Sequence, residues 1–242
     1  MRYLFLFMFL VAIFVLGSRS CGGFDFGFGV RGEGPVKTEN RSAGDFHAVI
    51  LEIPALAEVS VSDRYSVEIQ AQENLLPILK TEVENGRLRI YFEKNVSHTE
   101  GLKVRISAPA FDELSIGGSG TIKALGVING ERLKLAIGGS GDIEVPQTDV
   151  GKMECAIAGS GNIRVGGKTN DVEFDIAGSG DIAAKELAAA TGTAKIAGSG
   201  SVTCNISQTL NASIAGSGDI YYTGSPSVDT DISGSGKVKK VD

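Results

Sequence analysis

Leu133-Lys134-Leu135-Ala136-Ile137-Gly138-Gly139-Ser140-Gly141-Asp142-Ile143-Glu144-Val145 decides the fold, because apolar residues alternate with polar or small ones on both sides of a glycine pair. Alternation of period two marks a strand with one buried face. Ile137, Gly139, Gly141, Ile143 and Val145 share one parity, so both glycines are expected to face inward and Ser140 outward. The Gly-Ser-Gly element recurs seven times, beginning at Gly118, Gly139, Gly159, Gly178, Gly198, Gly216 and Gly234, at intervals of 21, 20, 19, 20, 18 and 18 residues. Its flanks repeat the alternation: Met153, Cys155, Ile157 and Val172, Phe174, Ile176 before it, then Ile163, Val165 and Ile220, Tyr222 after it.

A coil of this length must turn corners, and a corner leaves no inner room for a side chain. Glycine also reaches backbone angles closed to other residues. The expected corner glycines are Gly118 and Gly120, Gly139 and Gly141, Gly159 and Gly161, Gly178 and Gly180, Gly198 and Gly200, Gly216 and Gly218, and Gly234 and Gly236. Helical repeats need more than about 30 residues per unit and propeller blades about 40, while the leucine-rich frame is missing. The spacing therefore predicts an all-β chain: a single-stranded right-handed parallel β-helix (β-solenoid) with ~18–21 residues per coil. A lone coil cannot offset the entropy of ordering its own backbone, so each must rest on its neighbours.

Residues 45–242 are expected to form this solenoid, with seven Gly-Ser-Gly coils over 108–242 and irregular N-terminal coils over 45–107. In the latter, Val49, Leu51 and Ile53 alternate, as do Leu88, Ile90 and Phe92, and Asn85-Gly86 is a hairpin signal. At the far end, Lys237, Lys239 and Lys240 place charge where an exposed edge could recruit another chain.

The start of the chain is a separate device. Arg2 precedes an apolar run from Tyr3 to Leu16, too short for a membrane span of about 20 residues and suited to a secretory signal peptide over 1–20. Three fates are open at the boundary: lipid attachment at Cys21, simple cleavage, or an uncleaved anchor. Residues 21–44, rich in glycine at Gly22, Gly23, Gly27 and Gly29, read as a flexible tether. The formal charge of −6 becomes −8 without Arg2 and Arg19, and no basic face is present, so nucleic acid is excluded as a partner.

Val30-Arg31-Gly32-Glu33-Gly34, Phe46 with Val49, Asn74-Leu75-Leu76-Pro77, Glu84-Asn85-Gly86-Arg87-Leu88 and the serial Gly-Ser-Gly-Asp-Ile at 139–143, 178–182 and 216–220 together resemble the GIN-domain family, known as auto-transporter adhesin heads. The likeness spans about residues 30–242. It implies an extracytoplasmic right-handed β-helix, often tethered by lipid, and it carries no assigned activity. With Asp242 six residues past the last Gly-Ser-Gly, no translocator barrel is expected.

The repeat and its flanks carry few candidate reactive groups. Gly138-Gly139-Ser140-Gly141 begins like a calcium-binding nonapeptide, but Asp142 comes one place early. The residue after each Gly-Ser-Gly reads Thr121, Asp142, Asn162, Asp181, Ser201, Asp219 and Lys237. Acids fall on alternate coils, about 9.5 Å apart, which is the wide edge of an inverting glycosidase pair. His47 and His98 are the two histidines, too few for a zinc site. The serines Ser119, Ser140, Ser160, Ser179, Ser199, Ser217 and Ser235 form an outward hydroxyl ladder. No cofactor or metal is expected. The leading expectation is a non-catalytic cell-envelope module, adhesin-like or structural, in the periplasm or at the outer surface. Its partner would be a glycan or an envelope protein, with membrane contact through Cys21 if lipidated and an oligomeric state left open. The alternative is a polysaccharide-active enzyme using Asp142, Asp181 and Asp219.

Overall fold

The computed structural model describes residues 29–242. The expected leader, Cys21 and the first part of the tether lie outside the described residues. Nine short strands come first: β1 (Val30–Arg31), β2 (Val36–Arg41), β3 (Ala48–Leu51), β4 (Leu56–Val61), β5 (Ser66–Gln72), β6 (Leu79–Glu84), β7 (Arg87–Phe92), β8 (Val96–His98) and β9 (Lys103–Ala108). The stack follows as β10 (Glu113–Ile116), β11 (Thr121–Ala124), β12 (Val127–Gly139), β13 (Asp142–Gly159), β14 (Asn162–Gly178), β15 (Asp181–Gly198), β16 (Ser201–Gly216), β17 (Asp219–Thr223), β18 (Ser227–Gly234) and β19 (Lys237–Lys240). No helix occurs among the described residues.

From β10 onward every pairing is parallel, and each corner sits on the corner of the preceding coil. This is a β-solenoid of about six turns. Two columns of β-branched residues flank the corners inside it. Ile116, Ile137, Ile157, Ile176, Ile196, Ile214 and Ile232 stack before them. Ile122, Ile143, Ile163, Ile182, Val202, Ile220 and Val238 stack after them. Branched side chains suit this environment because identical residues interlock along a pleated surface. Register is unbroken through both columns. It slips instead on the opposite side, between Val145 and Thr148, Arg164 and Gly167, and Ala184 and Ala188. The unequal repeat intervals are therefore absorbed far from the corner.

The corner corrects the reading that both glycines face inward. In the third copy only Gly161 is buried, while Gly159 is half-exposed. Gly159 has φ +137°, and a Cβ there would lie 2.2 Å from the Gly139 carbonyl oxygen. Gly161 is needed for a different reason: its Cβ would lie 2.3 Å from the Gly141 oxygen and 2.8 Å from Ile137 Cγ2. Parity identifies a side of the strand but not a positive φ, and the first glycine is required for its backbone angle and close approach.

The N-terminal region departs further from expectation. Residues 45–107 are not successive coils. The β3–β4 rung is inserted between two later ones, β3 lying between β7 and β10, and β4 between β9 and β11. Ile53-Pro54-Ala55 replaces Gly-Ser-Gly at its corner, with Gly117 N–H donating to the Leu51 oxygen at 2.9 Å and Thr121 N–H to the Ala55 oxygen at 2.8 Å. Antiparallel strands then close the end: β6 folds back on β7, and β5 lies on β9 with β2 outside it. Residues 30–41, read as part of the tether over 21–44, instead supply β1, which pairs with β8, and β2, which pairs with the edge that β5 offers.

Candidate binding faces

The side of the rod beyond the corner carries the candidate site. Its first outward column is Thr121, Asp142, Asn162, Asp181, Ser201, Asp219 and Lys237, in register across successive coils. Each acid accepts from the coil above it. Asn162 Nδ2 donates to Asp142 Oδ1 at 2.8 Å. Ser201 donates to Asp181 Oδ1 through its backbone N–H at 2.9 Å and through its hydroxyl at 2.6 Å. Lys237 N–H donates to Asp219 Oδ1 at 3.0 Å, while the Tyr221 hydroxyl reaches Asp219 Oδ2 at 3.0 Å and has its own pKa raised by that bond. The three acids are thus occupied as acceptors that tie neighbouring coils together. Sequence had shown only their alternation. The missed signal was that a donor-bearing side chain or residue always follows in the next coil.

The next outward column alternates in charge over Lys123, Glu144 and Arg164 and then continues uncharged through Ala183, Thr203 and Tyr221. Lys123 Nζ lies 3.5 Å from Glu144 Oε2, and Arg164 Nη1 lies 3.4 Å from Glu144 Oε1. An open depression runs between these columns, lined by Asp142, Glu144, Asn162, Arg164, Asp181 and Ala183. On the side before the corner, Lys195 bonds Glu173 at 2.8 Å and approaches Asp175 at 3.9 Å. Burial raises the Asp175 carboxyl pKa, Lys195 opposes that rise, and Glu173 and Glu154 add to it. The corner itself is a ridge. All seven serines from Ser119 to Ser235 are exposed along it, preceded by the small column Gly138, Ala158, Ala177, Ala197 and Ala215.

Other candidates stand apart. His47 Nδ1 meets Asp112 Oδ1 at 2.8 Å, and His98 Nε2 meets Glu100 Oε1 at 3.3 Å; both are surface pairs outside the regular repeats. Among the described residues no three His, Cys, Asp or Glu side chains converge as metal ligands. Cys155 and Cys204 are free and buried in different columns; burial pushes both thiols up, Cys204 to about 12. No described helix is long and apolar enough to cross a membrane.

Solved structures share this architecture. A "putative adhesin" from Bacteroides fragilis superimposes with TM-score 0.81 at 21% identity, over 88% of this chain and 100% of that one. A "putative lipid binding protein" from Parabacteroides distasonis gives 0.75 at 28% identity, over 88% and 99%. A further "putative adhesin" from the same organism gives 0.70 at 26%, over 88% and 99%. No curated protein sequence matches. The family model described as "Putative auto-transporter adhesin, head GIN domain" matches residues 45–226, and the chain belongs to that family.

Proposed function

We propose that this protein is a non-catalytic binding module of the cell envelope, exported and held at a membrane by lipid on Cys21, that presents the polar side of its rod to an extended partner such as a glycan chain. The observation that supports this reading most is the state of the acids. Asp142, Asp181 and Asp219 are each held by the coil above. A glycosidase requires a general acid and a base or nucleophile poised around a scissile bond, whereas these carboxylates are engaged in bonds between coils. A regular ladder of exposed serine hydroxyls, one rung every ~4.8 Å, suits a repeating ligand better than a single small molecule.

The test is a glycan array together with envelope pull-downs, using the intact chain and Arg164→Ala. Binding of an extended glycan that weakens in Arg164→Ala supports the reading. Cleavage of any polysaccharide that is lost in Asp181→Asn would replace it with an enzyme. Mass spectrometry of the mature N-terminus separately tests lipid on Cys21.

A further inference from the structure

The two ends of the rod differ. The N-terminal end is closed by antiparallel strands, whereas β18 and β19 pair on one side only among the described residues, β18 with β16 and β19 with β17. The last rung also leaves its interior open. Ile232 occupies the same column as Ile214, yet it is 41% exposed where Ile214 is 1%. Val228 and Val238 are only partly covered. Lys240 Nζ donates to Ser225 Oγ at 3.3 Å, whereas among the described residues no side chain closes over Ile232.

We infer that this end docks on the same end of a second copy, through a twofold axis at Ser235 that pairs β18 of each copy antiparallel with β19 of the other. Identical ends can meet only head to head, which makes the new strand pairs antiparallel. Charge then selects among the pairings. Laying β18 on β18 opposes Asp229 to Asp231, and laying β19 on β19 opposes Lys237 to Lys239; both juxtapose like charges on exposed positions. Pairing β18 with β19 about Ser235 instead matches residues equidistant from the axis. Asp231 falls opposite Lys239, and Ile232 opposite Val238, twice each in the dimer. The aspartates of β18 and the lysines of β19 therefore each disfavour one like-strand pairing and together favour the mixed one, rather than simply blocking the edge. This inference concerns the end of the rod and holds whatever its sides bind.

The test is oxidative cross-linking of the full chain carrying Ser235→Cys, with Ser140→Cys as the control in mid-rod. Across an antiparallel pair, cysteines at the axis lie within disulfide reach. Ser235→Cys is expected to give a covalent dimer and Ser140→Cys none above background. Adding Asp231→Lys or Lys239→Asp to Ser235→Cys is expected to lower the dimer yield about tenfold, and adding both should restore it. Equal cross-linking at the two cysteine positions, or a double charge reversal that fails to restore the dimer, would overturn the inference.

Discussion

Ser201 donates twice to one oxygen of Asp181, so that side chain serves as a hydrogen-bond acceptor between coils. Asp181→Asn keeps an acceptor and is expected to leave stability within about 0.5 kcal/mol, whereas Asp181→Ala removes it and costs about 0.5–1 kcal/mol in urea unfolding. Glycine offers a sharper contrast. Gly159→Ala forces a side chain into φ +137° and against a carbonyl 2.2 Å away, at an expected cost of about 3 kcal/mol. Gly138→Ala meets nothing closer than 3.8 Å, and the next coils already carry alanine there, so it is expected to be neutral or slightly stabilising. The thiols add a pH effect. Because burial raises Cys204 from 9.0 to about 12, the unfolded chain loses that proton first, and stability falls as pH rises through this window. Cys204→Ala, matching Ala184 in the same column, should flatten that fall in pH-dependent unfolding. At this scale the occupants of the columns beside the corner were legible from spacing, while those on the opposite side, where register slips, were not. The hydrogen bonds to the acids were not, because period two says which side a residue faces and not what lies across from it.

Within the cap, Asn85 at φ 51° and Gly86 at φ 73° make the turn that folds β6 onto β7, as that residue pair favours. A Cβ on Gly86 would also lie 2.4 Å from His47 Nε2. Gly86→Ala is expected to cost about 1–2 kcal/mol, seen as faster hydrogen exchange in β6 and β7 with β14 unchanged. The turn could be read from sequence, but the rest of the cap could not. Val67 with Ile69 and Leu88 with Ile90 alternate as strictly as any coil, yet alternation encodes neither partner nor direction. Nothing in Ala48–Leu51 announces that β3 lies between β7 and β10, since Ile53-Pro54-Ala55 makes its corner without a glycine signature. The tether was misjudged for a related reason: β2 exposes most of its side chains, so its burial pattern gives no strand signal, and only the edge of β5 makes it one.

Across the whole molecule the coils form a quasi-one-dimensional array, each contacting chiefly the ones before and after it. Position along the rod should then govern the cost of a substitution. Phe174 is fully buried at mid-stack, and Phe174→Ala is expected to cost about 3–5 kcal/mol by opening a cavity between two covering coils. The stack was readable from sequence because seven corners repeat one signature, and its closed end was not because closure uses no repeat. The stacking itself is tested most directly by spin-label distances between ridge serines, measured on Ser119→Cys/Ser179→Cys and Ser119→Cys/Ser217→Cys. Corners stacked in parallel, three and five rungs apart, should give separations of about 14 and 24 Å, rising by ~4.8 Å per rung. Separations that do not grow with rung number, or that shorten for the more distant pair, would contradict a coil-on-coil stack.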